Sequence, residues 1–371
     1  MMKNLINTEL CDMLGIEYPV ILAGMGNVSG PTLAAAVSNA GGLGVMGTTQ
    51  LEPEGITEWI NKARSLTDKP FGVDLLMPSS VLETGDTVEV KLEIPAEQTA
   101  LVNQLKKDFG VSEDAKGMQW AMSPDFARRQ VQVVIDGHPD VFAAGLGTPE
   151  WVISEMHSHG IKVISAIGNV KSALSVKEAG ADIIVAQGHE AGGHTGRIGT
   201  FALVPQVVDA VSPTPVVAAG GIGDGRGLAA ALALGAVGVW VGTAFLATSE
   251  AGVDVYGMGF FDEKFVNYLK ERLVTSTEED TQVTRVYTGK TARVIKSELM
   301  RRWEESGVPT LPMPLQWLAI ADLLQGLAEQ GKYENMALLA GQITGMIKEV
   351  KSAKQLVEEM VEDAINILKV R

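Results

Sequence analysis

The feature that most constrains this chain is a rhythm. Eight short runs rich in β-branched residues recur along it, most of them followed by a stretch with helical apolar spacing. The runs fall at 18–23 (YPVILA), 43–46, 70–76, 141–145, 162–166, 182–186, 215–219 and 237–241. The helical stretches between them include 30–40, where Pro31 sits near the first turn and Gly41 and Gly42 stop the helix. Others are 53–66, 149–158, 170–179, 203–211 and 225–234. Strands joined through helices lie parallel, because each crossover returns the chain to the same edge. An open doubly wound sheet gives the same local pattern with fewer repeats. Eight repeats predict an α/β fold of the (β/α)8 TIM-barrel type.

Two departures from the rhythm predict additions to the barrel. Residues 78–137 exceed an ordinary connection and read as an inserted segment, with helices at 95–109 and 124–134 and a charged, alternating stretch at 88–94. After 249 the strand runs stop. Stretches at 261–273, 291–306, 315–329, 335–346 and 353–368 read as helices, a C-terminal helical lobe over the barrel mouth. The expected division is a barrel at 1–250, a lobe at 251–345 and a terminal helix at 346–371 that packs back on the barrel.

A net charge of −15 opposes binding of nucleic acid or an anionic membrane through the overall field. It leaves room for an anionic cofactor held locally by backbone N–H groups. Cys11 is the only cysteine, so neither an intrachain disulfide nor a cysteine metal cluster is expected. No apolar run reaches membrane-spanning length, and no signal-type apolar core follows the N-terminus. The expectation is a cytoplasmic chain.

Barrel active sites lie at the C-terminal ends of the strands. After the sixth run comes QGHEAGGHTG, residues 187–196. Its glycines let backbone approach a flat ring. It also carries His189, Glu190 and His194. The histidines are five apart on a non-helical loop, which lacks the face that a paired zinc site needs. No metal is expected. His194 is the candidate catalytic residue, since imidazole exchanges protons near neutrality, and His189 is read as packing or orienting the loop. No G-x-S-x-G nucleophile elbow is present. After the seventh run, 218–225 holds Gly220, Gly221 and Asp224. After the eighth come Gly242 and Thr243. Either turn alone is as readily a tight turn, but together they sit where barrels bind phosphate. Asp224 is placed to cap the following helix. Gly24, Met25 and Asn27 after the first run, Asp74 after the third and 145–147 after the fourth face the same mouth.

These residues together resemble the nitronate monooxygenase family, which is similar to the flavin-dependent enoyl-acyl-carrier-protein reductases. The resemblance runs from Pro19 to about Gln316 and is densest at 33–44, 187–196, 199–211 and 216–248. Glu279, Asp280, Thr281, Arg285, Gly289, Lys290 and Arg293 resemble the family's post-barrel pattern. The resemblance implies FMN as cofactor and His194 as the family histidine. It implies phosphate contacts at Gly220, Gly221, Gly242 and Thr243, and ring contacts at Gly24, Met25 and Gln187. Gly192 and Gly193 then pass near the ribityl chain and phosphate. Asp74 stands where many members carry Asn or Gln. A carboxylate there is costly beside an anionic reduced flavin unless paired or protonated, and it has the ribityl hydroxyls as an alternative contact.

The implied activity is oxidation of an alkyl nitronate by O2 to a carbonyl compound and nitrite. The alternative is reduction or dehydrogenation of an acyl-CoA or acyl-carrier-protein thioester with NAD(P)H. In that case Lys290 and Arg293 would meet CoA phosphates, unless they are merely exposed charges at a helix start. A barrel that binds flavin without catalysis is a third reading, opposed by His194 and the complete glycine loops. The expected partner is a small-molecule substrate, and a homodimer is left open.

Overall fold

The computed structural model describes residues 6–26, 28–77, 93–117, 123–255 and 262–369. Eight strands form one parallel sheet: β1 (Val20–Leu22), β2 (Gly44–Gly47), β3 (Phe71–Leu76), β4 (Val141–Gly145), β5 (Lys162–Ile167), β6 (Ile183–Gln187), β8 (Val216–Ala219) and β9 (Gly238–Val241). β7 (Gly193–His194) lies outside it. The order is β1-β9-β8-β6-β5-β4-β3-β2. Its two ends meet: Leu22 N donates to Leu43 O at 2.9 Å, and Leu43 N donates to Val20 O at 3.0 Å. The eight runs read from the sequence are these strands, each within about two residues of its expected bounds.

Side-chain alternation divides the core in two. Ile21, Val45, Ala143, Ile164, Val185, Val217 and Trp240 point inward and fill the barrel. Val20, Leu22, Met46, Phe142 and Ile184 point outward against the helices. The strands are therefore apolar on both faces, which is why they read as continuous apolar runs. The N-terminal end of the barrel is plugged by helix Glu9–Leu14. Leu10 and Leu14 join the interior cluster, and the Thr8 hydroxyl donates to Val237 O at 2.5 Å.

Helix Pro31–Asn39 begins on Gly30, which has no capping side chain. Asp254, far along the chain, supplies the cap. It accepts from Thr32 N and Thr32 Oγ1, both at 2.8 Å, and from Lys62 Nζ at 2.7 Å. Gly30 has to be small there, since a Cβ on it would lie 2.5 Å from Asp254 Cβ. The same helix lies directly on β2, so that a Cβ on Gly44 would stand 1.9 Å from Ala34 O.

The inserted region contributes helices Ala96–Phe109 and Pro124–Gly137. Pro124–Gly137 packs on Pro53–Leu66 in the barrel's outer ring, whereas Ala96–Phe109 packs on helix Leu315–Glu329 of the post-barrel region. The charged stretch at 88–94 lies largely outside the described residues.

After the barrel, helices Glu263–Thr275 and Leu315–Glu329 stand close to where the sequence places them. The expected helices at 291–306 and 335–346 are corrected. The first is strand β11 (Ala292–Ile295) followed by helix Glu298–Ser306. The second is two short 3-10 turns flanking β12 (Leu338–Leu339). With β10 (Thr281–Thr284) they build a small antiparallel sheet in which β11 pairs with β10 and β12. The final helix, Ala353–Lys369, packs on Gly225–Ala233 and Pro31–Asn39. Among the described residues, no helix is long and apolar enough to cross a membrane.

Candidate active site

A cavity of about 990 Å³ opens at the C-terminal ends of the barrel strands, roofed by the small sheet and its flanking segments. That is at the upper end of the range for small-molecule sites, roughly 300–1,000 Å³. The candidate catalytic, ring and phosphate residues all line it: Gly24, Met25, Asp74, Gln187, Gly192, Gly193, His194, Gly220, Gly221, Gly242 and Thr243. Residues 145–147 line it too, while Asn27 lies outside the described residues.

His194 is held by the backbone of the post-barrel sheet. The loop that the sequence presents as free becomes strand β7, in which His194 pairs with Ala292 and Gly193 with Arg293 of β11. Gln187 Nε2 donates to His194 O at 2.5 Å. On the side chain, Nε2 and the Thr288 hydroxyl are hydrogen-bonded at 2.9 Å. Burial, and then the positive charge of Lys290, lower the imidazole pKa to about 4. The ring is therefore neutral at physiological pH, able to accept or donate a hydrogen bond without carrying charge.

The other polar residues of this loop serve structure. The Glu190 carboxylate accepts from Thr200 N at 2.9 Å and from Thr200 Oγ1 at 2.9 Å, capping helix Thr200–Val211 with a charge complementary to its dipole. His189 Nδ1 is hydrogen-bonded to Gly196 O at 2.9 Å, and His189 O accepts from the guanidinium of Arg293. Arg293 itself is buried in β11, with Nη1 donating to Thr281 Oγ1. It is a strut inside the sheet, neither an exposed helix-start charge nor available to a CoA phosphate. Lys290 does line the cavity, and among the described residues no carboxylate pairs with it.

Two turns bring left-handed glycines to the cavity. Gly220 and Gly221 have φ of +91° and +72°, and Gly193 has φ of +71° with open space where a Cβ would project. These left-handed positions favour glycine and leave amide-rich backbone facing the cavity. Helix Gly225–Ala233 is capped by Asp224, which accepts from Arg226 N at 3.0 Å. The residues present fit a flat cofactor with a terminal phosphate: small backbone turns at the phosphate end, and Gly24 and Met25 on the ring side.

Several lining residues were out of reach of the sequence. Gly341 N donates to Thr243 Oγ1 at 2.9 Å, and Gln342 N to Glu190 O at 2.9 Å, docking 341–343 against the phosphate-type turns. Tyr287, Thr288, Met313 and Trp317 wall the opposite side, with the Tyr287 and Trp317 rings edge to face at 5.3 Å. Buried Ser29 fixes the Gly24–Met25 turn by accepting from Met25 N at 2.7 Å and from Gly47 N at 3.0 Å. Thr288 and Lys290 belong to the stretch resembling the post-barrel pattern; Ser29 and Gly341 carry no signal in a single sequence.

The chain matches the family described as Nitronate monooxygenase over residues 7–363. A relative from Staphylococcus saprophyticus, named "Probable nitronate monooxygenase", is 34% identical, covering 98% of this chain and 99% of its own. The structure of FabK from Thermotoga maritima is 33% identical, with a TM-score of 0.76 and 98% of both chains covered. That of nitroalkane oxidase from Streptomyces ansochromogenes is 30% identical, with a TM-score of 0.80 over 98% of this chain and 99% of that one.

Proposed function

The chain belongs to the nitronate monooxygenase family of flavin-dependent oxidoreductases, and from that premise we propose that it binds FMN and oxidises a small alkyl nitronate with O2 to a carbonyl compound and nitrite. The observation that supports this reading is one shared cavity lined by His194, Lys290 and the left-handed glycine turns suited to a phosphate. Gly220, Gly221, Gly242 and Thr243 would hold the phosphate, and Gly24, Met25 and Gln187 would border the ring. When bound, the flavin supplies the electron transfer between substrate and O2.

The chain's own residues supply selection and placement. A nitronate is an anion, and Lys290 is the cation that draws it toward His194. The uncharged imidazole hydrogen-bonds the substrate oxygens without cancelling their charge, while Thr288 fixes its ring. The enclosed walls keep bulk water from weakening these interactions. Lys290→Gln should raise KM for a nitronate about tenfold, the effect of losing roughly 1.4 kcal/mol of attraction. It should leave kcat within about twofold, since the charge acts on the bound and reacting anion alike. Steady-state kinetics at several nitronate concentrations check this.

The decisive experiment is aerobic turnover with an alkyl nitronate, following O2 uptake and nitrite release. FMN-loaded protein that consumes no O2 overturns the reading. The likeness to FabK supports a second reading, reduction of an acyl thioester. Anaerobic bleaching of the flavin by NADH or NADPH, followed by reoxidation with an enoyl-CoA, distinguishes it.

A further inference from the structure

The cavity contains one acid that the scheme above does not use. Asp74 lies in β3 two residues before its C-terminal end, and its carboxyl lies against the backbone of Gly24: a Cβ there would be 2.2 Å from Asp74 Cβ and 2.3 Å from Oδ2. Three neighbouring segments surround it. They are the Ala23–Gly26 turn after β1, Thr48–Gln50 after β2 and Gly145–Thr148 after β4. None contributes an acid, a base or an ion-pair partner, and helix Pro31–Asn39 behind β3 has no titratable residue. Among the described residues no hydrogen bond reaches the carboxyl, although its backbone O accepts from Thr48. The titratable groups across the cavity are His194, Tyr287, Lys290, Lys171 and Glu190, the last engaged with Thr200.

We propose that Asp74 holds a proton in the resting protein and donates it in a hydrogen bond to the bound cofactor, so that flavin capture is linked to the state of this one carboxyl. This rests on the FMN reading above. An ionised carboxylate that no donor or cation meets among the described residues is disfavoured in an enclosed site, and a phosphate-bearing ligand in the same cavity disfavours it further. The neutral acid instead offers an O–H to an acceptor on the ligand. Burial acts in this direction, pushing the Asp74 pKa up to about 8.

Two measurements test this. In the first, FMN affinity of the apoprotein is titrated by flavin fluorescence between about pH 6 and 10. The wild type should lose affinity about tenfold per pH unit above roughly pH 8, the slope of one linked proton. Asp74→Asn, a neutral isostere that still donates, should bind FMN with little change over that span. A flat wild-type profile, or an equal decline in Asp74→Asn, overturns the proposal. In the second, infrared difference spectra of the apoprotein between the same limits should show a protonated-carboxyl carbonyl band that disappears at high pH and is absent in Asp74→Asn. No such band overturns the proposal even if FMN binds. A band together with no FMN binding at any pH overturns the cofactor reading while leaving the buried acid in place.

Discussion

Replacing His194 by Ala lowers kcat for a nitronate by about three orders of magnitude, within the range of roughly 10²–10⁴ for loss of a positioned acid–base or hydrogen-bonding group. Bound flavin should be retained, because the substitution removes a side chain and leaves the backbone of the glycine turns, Gly193 included, unchanged in sequence. The comparison to make is kcat together with the flavin-to-protein absorbance ratio. An activity loss under tenfold with flavin in place removes His194 from the mechanism. The same imidazole leaves a mark on stability. Its folded-state pKa is lowered from 6.5 to about 4. Between those values the unfolded chain binds the extra proton, so stability is complete above about pH 6.5 and is lost as pH falls toward 4. His194→Ala should be less acid-sensitive over that window in denaturant titrations.

The second large effect concerns the barrel wall. Gly44→Ala would place a Cβ 1.9 Å from Ala34 O and 2.6 Å from Ala34 Cα. These are backbone atoms of a buried helix and cannot rotate away. The strand and helix must part, costing about 3 kcal/mol, at the upper end of ordinary overpacking. Gly55→Ala gives the opposite sign. Gly55 lies within helix Pro53–Leu66, and its added Cβ would meet only Leu51 Cβ at 3.6 Å and Cδ2 at 3.8 Å. Removing a flexible residue from a helix should stabilise by roughly 0.5–1 kcal/mol. Chemical denaturation of the pair checks both; a Gly44→Ala midpoint equal to wild type would mean that the helix does not lie on β2.

The barrel was legible because its signals are local. Ile21, Val45, Val185 and Val217 sit in runs that are apolar on both faces, which single a parallel strand out from a half-exposed one. The strand-end rule then selected residues that line one cavity. The post-barrel region misled because its short strands have no such run. Ala292–Ile295 (ARVI) abuts helix Glu298–Ser306, and its apolar residues blend into that helix's spacing. Leu338–Leu339 is too short for any period and is a strand only because β11 lies beside it. Gly341 and Thr288 reach the cavity through tertiary contacts from distant parts of the chain, while Ser29 acts from behind the Gly24–Met25 turn. Arg293 shows the same limit: its charge suggested a surface role, yet it is folded into the sheet beneath His189.

The pairing of Gly193–His194 with β11 has a consequence for rebuilding this molecule. The imidazole belongs to the barrel in sequence but takes its backbone position from the appended sheet. A graft that exchanges residues 281–347 for another specificity module would therefore misplace the histidine unless the donor brings a strand of matching register. Hinging of that segment as a rigid flap would carry the imidazole with it.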